Sequence, residues 1–144
     1  MKKRATGIFS AIALIAILAT AASTQAQSGT GMRITVPFDF VIGNQTYASG
    51  DYLVNTEGNP DLIKVQSKAG NASAFVSGVL IRQAWGDHPA ELVFNRYGER
   101  YFLSKIWLGS LGHQLSKSKL ERRIIEEESD YAGQARAESV TVRP

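Results

Sequence analysis

The sequence contains no cysteine, and this absence excludes several kinds of stabilisation and chemistry. Without thiols the chain can form no disulfide bond, offer no thiolate metal ligand and use no cysteine nucleophile. Attachment of lipid to a cysteine is excluded for the same reason. The fold must therefore be held together by noncovalent packing alone.

Histidine is also scarce, and the residue patterns that catalysis often uses are missing. The only two histidines, His88 and His113, lie in separate segments without the spacing of a metal-binding pair. The sequence has no Gly-x-Ser-x-Gly motif and no glycine-rich phosphate-binding loop. We therefore predict no catalytic, cofactor-binding or metal-binding residue, and the sequence favours a protein that is not an enzyme.

No apolar run is long enough to span a bilayer, which takes about 20 residues. The run over residues 8–22 has 15 residues and follows three basic residues at positions 2–4. Small residues up to Ala26 then match the pattern of a signal-peptidase site. We predict that residues 1–26 form a secretory signal peptide, that the mature chain begins at Gln27, and that the protein is secreted or periplasmic.

The mature chain carries no net charge. Three of the sixteen lysines and arginines lie in the signal peptide and all thirteen acidic residues follow it, so thirteen charges of each sign remain. A neutral chain lacks the positive field on which binding to nucleic acids and anionic lipids relies. We expect no nucleic-acid partner and, after cleavage, no membrane span.

After a flexible leader (27–31), the sequence shows the two-residue period of β-strands. Over residues 32–42 apolar residues alternate along the chain and share one side of the strand. Asp39 lies on the other side and points away from its two phenylalanine neighbours. We therefore predict that Asp39 faces solvent and is not catalytic.

Several short strands separated by turns follow, and they predict one mainly β domain over 32–144. We expect an antiparallel meander, closed as a small barrel or folded as a sandwich.

Two residues are expected to interrupt strands. Pro37 cannot donate a hydrogen bond to a ladder, so its half of the strand should lie at a sheet edge or carry a bulge. Gly78 interrupts a strand predicted over 74–82, which indicates a bulge or a close approach of another backbone segment.

The clearest hairpin spans residues 91–107 and carries apolar side chains on both faces. With the turn at Tyr97-Gly98, one apolar line runs along its second face. We take this line, together with two aromatic residues of predicted turns, as a candidate partner surface. It comprises Val93, Phe102, Ile106, Trp85 and Tyr97.

Near the C-terminus the period changes to that of a helix. Ser118 and Glu121 have the spacing of a capping box, and we predict an amphipathic helix over about 118–129. We expect its apolar stripe to cover the second face of the hairpin. This apolar stripe of the helix consists of Leu120, Ile124 and Ile125.

Alternation over 140–142 predicts a last short strand.

Two stretches resemble an uncharacterised family of small exported bacterial proteins. They are VPFDFVIGNQTYASGDYLV (36–54) and LVFNRYGERYFLSKIW…GHQLSKSKLE (92–121), which together cover 49 of the 118 mature residues. The family has Pro-Ala-Gly before the tyrosine of the first motif, where this chain has Ala48-Ser49-Gly50. The resemblance implies an exported bacterial protein and supplies no catalytic residue.

The leading hypothesis is an exported, non-enzymatic binding or envelope-interaction module with an unknown envelope component as its partner. One alternative is a small barrel that carries a small apolar ligand, which an interior cavity of about 300 Å3 or more would favour. Another is a hydrolase with two carboxylates about 5–10 Å apart in a cleft. A filled core with neither feature favours the module.

Overall fold

The computed structural model describes residues 31–83, 88–132 and 136–144, which form a mainly β protein with one helix near the C-terminus. The predicted signal peptide, the cleavage site between Ala26 and Gln27, and Trp85 lie outside the described residues. No helix in this described part of the chain has the length and apolar character needed to cross a bilayer.

The strands pair into two sheets. In chain order the described elements are β1 (Gly31–Val36), β2 (Phe40–Ile42), β3 (Gln45–Tyr47), β4 (Gly50–Asn55), β5 (Ile63–Ser67), β6 (Ser73–Val76), β7 (Val79–Arg82), β8 (Glu91–Tyr97), β9 (Arg100–Leu108), β10 (Leu111–Gln114), α1 (Lys119–Ala132) and β11 (Glu138–Val142). The first sheet has the order β1-β4-β5-β6 and the second the order β11-β8-β9-β10-β7. Antiparallel pairing links β3 to β2, which joins β9 through one parallel pair. The predicted last strand is confirmed as β11.

The chain first passes between the sheets at Pro37. β1 ends at Val36 in the first sheet, whereas β2 begins at Phe40 in the second. The prediction of one continuous strand over 32–42 is therefore wrong. Proline has a fixed φ and no N–H to donate, so the ladder of β1 ends in front of it. The predicted interruption at Pro37 is a change of sheet.

The chain also passes between the sheets at Gly78, which separates β6 from β7. A Cβ atom at this position would lie 2.5 Å from the carbonyl oxygen of Gln114. Only a residue without a side chain fits so close to another backbone segment. This confirms the close approach that was predicted for Gly78.

Side chains of both sheets form one buried apolar cluster. Val54 belongs to the first sheet and Phe94 to the second, and both are fully buried in it. Phe40 connects the two halves, because its ring centroid lies 5.1 Å from that of Tyr52 and 5.4 Å from that of Phe94. Neither sheet closes on itself within the described residues, so no closed barrel is found.

The β8–β9 hairpin has a different register from the predicted one. Its turn lies one residue later than predicted, at Gly98-Glu99. Gly98 has a φ of 57°, and two-residue hairpin turns need such a positive φ at their first position. As a result Asn95 pairs with Phe102, whereas a turn at Tyr97-Gly98 would have paired Val93 with Phe102.

A β-bulge in the same hairpin divides the predicted apolar line. Leu92 pairs with Ile106 and Phe94 with Leu103, so β9 has one more residue than β8 between these pairs. An extra residue reverses the alternation of side chains beyond it. Ile106 therefore lies in the core between the sheets, whereas Phe102 lies on the opposite face.

α1 packs on this outer face of the second sheet, as predicted, but of the predicted apolar line it covers Phe102 and not Ile106. The helix ends three residues later than the predicted range of 118–129. Ser118 caps its first turn, because the Ser118 Oγ accepts a hydrogen bond of 3.0 Å from the Glu121 N–H. The contact buries Val41, Tyr97, Phe102 and Ile124, with Leu120 and Ile125 packed around them.

Candidate functional site

The structure does not bring the predicted partner surface together. Phe102 and Tyr97 are buried beneath α1, and Ile106 is buried in the core between the sheets. Val93 is half-buried, and Trp85 lies outside the described residues. The predicted surface was wrong for the three buried residues, because the bulge turns Ile106 inward and the helix covers the other two.

The junction between α1 and β8 contains a buried carboxylate. Glu121 is only 4% exposed, and its Oε1 accepts hydrogen bonds from the Asn95 amide (2.9 Å) and the Tyr97 hydroxyl (3.2 Å). Burial, and then the nearby Glu121 carboxylate, raise the pKa of Tyr97 to about 12. The phenol is therefore a neutral donor at ordinary pH, and this contact joins the helix to β8.

An open groove of about 780 Å3 lies between β3 and β6. Residues 42–45 and Tyr47 form one wall, residues 73–77 form the other, and Leu115 and Ser116 complete the lining. The groove thus lies at the border between the two sheets, next to the point where the chain passes from β6 to β7.

Both walls of the groove are strands with an unpaired edge. Among the described residues, β6 pairs only with β5, and β3 pairs only with β2. A strand at a sheet edge leaves every second N–H and C=O without a ladder partner. On the β6 side the groove is therefore bordered by main-chain donors and acceptors.

The pairing of β6 shows which of its main-chain groups face the groove. The carbonyl of Ala72 accepts a hydrogen bond from Ser67 at the end of β5, so Ala72 faces β5. In an antiparallel ladder the next residue directs both its N–H and its C=O the other way. Ser73 and Phe75 therefore direct theirs away from β5. The Tyr47 hydroxyl, which lies 3.4 Å from the Ser73 carbonyl oxygen, agrees with this direction.

The side chains that line the groove carry no formal charge. They include no Asp, Glu, Lys, Arg or His, and Tyr47 is the ionisable group among them. Burial raises the pKa of Tyr47, so its phenol stays neutral at physiological pH. Phe75 is 58% exposed at the rim, which is unusual for a residue of that size. The groove can bind through main-chain hydrogen bonds and apolar contacts, but it offers no acid or base.

The other ionisable side chains of interest lie away from this groove. Asp39 is exposed, as predicted, and its Oδ1 accepts a 2.7 Å hydrogen bond from the Ser49 N–H. His88 lies 3.7 Å from the carboxylate of Glu91, which also binds Arg143 at 3.0 Å. No group of three or more His, Asp or Glu side chains that could hold a metal ion occurs in the described ranges.

Sequence reasoning did not find the groove residues. Residues 74–76 were predicted as part of the strand over 74–82, and the sequence does not show that the Phe75 side chain is exposed. The interruption at Gly78 was the available signal, since it marks the change of sheet beside the groove. The missing information was which strand edges remain unpaired.

Comparisons with protein-family models, with curated proteins and with solved structures found no match to this chain.

Proposed function

We propose that the protein is an exported, non-enzymatic binding module that holds an envelope component in the groove between β3 and β6. The observation that carries this proposal is the combination of the unpaired edge of β6 with an uncharged lining and the exposed ring of Phe75. Such a surface supplies hydrogen bonds and apolar area to a partner without supplying a group that could transfer a proton.

The two alternative functions have less support. In our proposal the two sheets form a sandwich, and the contacts of Phe40 with rings from both sheets support an interior filled by side chains. Such an interior has no place for a carried apolar ligand. A hydrolase would need two carboxylates in a cleft, whereas the groove is lined by none.

The proposed location outside the cytoplasm rests on features of the sequence rather than on the groove. The cationic start, the short apolar run and the small residues up to Ala26 support export. The resemblance of residues 36–54 and 92–121 to small exported bacterial proteins agrees with it. The partner is therefore expected in the periplasm, in the envelope or outside the cell.

The experiment is a capture assay with mature protein and an extract of the source cell envelope. We expect the wild type to retain an envelope component and the Phe75→Glu variant to lose it, because the new carboxylate would lie at the rim of an uncharged groove. Leu53→Glu is the matched control, since Leu53 is a 40% exposed apolar residue of the same sheet outside the groove lining. Equal retention by both variants would contradict the proposal.

A further inference from the structure

The free edge of β6 has the geometry to accept another strand. Ser73 and Phe75 lie opposite Gln66 and Lys64 but direct their N–H and C=O groups away from them. Two residues of this kind on one edge present two donors and two acceptors, the repeat with which an incoming strand pairs. At Ser73 the incoming strand would replace the 3.4 Å contact between the Tyr47 hydroxyl and the Ser73 carbonyl oxygen.

The groove of about 780 Å3 lies beside that edge. Strands in a sheet lie about 4.8 Å apart, and five residues of strand extend about 17 Å. The groove runs beside residues 73–77 and is walled on its far side by β3. An extended segment placed there would pair with β6 and rest its inward side chains against Tyr47 and Leu115.

The charge of the groove restricts the chemistry of that segment. The chain as a whole has 20% charged residues, yet none of the described residues that line the groove is charged. A charged side chain entering the groove would lose hydration without gaining an opposite charge. Charge complementarity therefore favours a segment whose inward side chains are small or apolar and uncharged.

We propose that the groove binds an uncharged, extended segment of another polypeptide, which adds as a strand to the free edge of β6. This inference rests on the proposed function in one respect, namely that the groove is where the partner binds. It goes further by naming the partner as polypeptide, its conformation as extended and the Ser73 and Phe75 main chain as the contact.

The first test uses a blocked synthetic peptide, acetyl-Gly-Thr-Val-Thr-Val-Thr-Gly-amide, with mature protein. On binding we expect slower hydrogen exchange at the amides of Ser73 and Phe75, measured by NMR. The amide of Ala74 serves as the internal control, because it already faces β5. Peptides with both valines replaced by Lys or by Glu should bind about tenfold more weakly or worse, a difference of about 1.4 kcal/mol. Protection elsewhere, or equal binding of the charged peptides, would overturn the proposal.

The second test removes the main-chain donor without removing the strand. Ser73→Pro eliminates an N–H that makes no ladder bond, at the first residue of an edge strand where proline is tolerated. We expect about tenfold weaker peptide binding from this variant, whereas Ser73→Ala, which keeps the N–H, should stay within about twofold. Because the exchange experiment needs no variant, a folding defect of Ser73→Pro would not leave the proposal untested.

The outcomes separate the two proposals. If Phe75→Glu abolishes capture of the envelope component but Ser73→Pro does not, the groove binds its partner by another mode and only strand addition fails. If neither variant affects capture, the proposed function fails as well. Sedimentation of the free protein gives the remaining outcome: a dimer disrupted by Ser73→Pro would identify a second copy as the occupant and overturn the assignment to another polypeptide.

Discussion

The side chain of His113 is a buried polar group with an unmet hydrogen-bonding capacity. It is 2% exposed in β10, and its Nδ1 has no hydrogen-bond partner among the described residues. Burial lowers the pKa of His113 below its ordinary 6.5, although the Asp61 carboxylate acts in the opposite direction. The folded protein therefore holds this imidazole neutral more firmly than the unfolded chain does.

This shift predicts a loss of stability in acid. As pH falls below about 6.5, the unfolded chain takes up a proton at this histidine before the folded protein does, so the free energy of unfolding decreases. The stability is fully present above that pH and is lost as pH falls through the folded pKa. Urea unfolding of the wild type and of His113→Leu at several pH values measures this, since carboxylate titrations common to both cancel. A difference between them that stays constant with pH would contradict the prediction.

Asp39 lies at an exposed position with one hydrogen bond to a neighbouring loop. Asp39→Asn should cost less than about 1 kcal/mol, because exposed substitutions usually do and the amide oxygen can still accept from the Ser49 N–H. Asp39→Ala removes that acceptor and should cost about 0.5–1.5 kcal/mol. Denaturant unfolding of both variants checks this. A loss of several kcal/mol from Asp39→Asn would indicate a partnered, buried carboxylate and would revive the enzyme hypothesis.

At the scale of the elements, the sequence predicted structure within one segment better than it predicted how segments pair with one another. The period of Leu120, Ile124 and Ile125 placed the helix, because amphipathic spacing is a local property. The hairpin register was missed, because it depends on which residue of Tyr97-Gly98-Glu99 takes the first turn position. The bulge near Phe94 was missed because no single residue type marks it. One extra residue was enough to send Ile106 to the other face.

The docking of α1 gives a prediction at this scale. Ile124 is 6% exposed in the contact with Phe102, so truncating it removes apolar burial and leaves a cavity. We expect Ile124→Ala to lower the free energy of unfolding by about 2–4 kcal/mol. Glu126→Ala and Glu127→Ala alter exposed positions of the same helix and should change it by less than about 0.5 kcal/mol. Denaturant melts measure all three. Wild-type behaviour of Ile124→Ala would mean that the helix contributes no packing there.

At the scale of the whole molecule, the sequence predicted a mainly β protein but not its division into two sheets. The alternation over 32–42 points to the same core on both sides of Pro37, so the period alone does not show that the chain changes sheets there. The groove could not be predicted from the sequence for the same reason. The groove exists because β3 and β6 each have one edge without a neighbouring strand among the described residues. Whether an edge is paired depends on the complete arrangement of strands.

The last prediction concerns the predicted signal peptide. The described part of the first sheet begins with β1 at Gly31, which lies after the predicted cleavage site at Ala26. We expect mass spectrometry of the exported protein to show an N-terminus at Gln27. The mature chain should migrate as a neutral protein rather than with the precursor's pI of 9.3, because the excess of three basic residues leaves with the signal. Intact precursor recovered from the membrane would show instead that the apolar run is retained as an anchor.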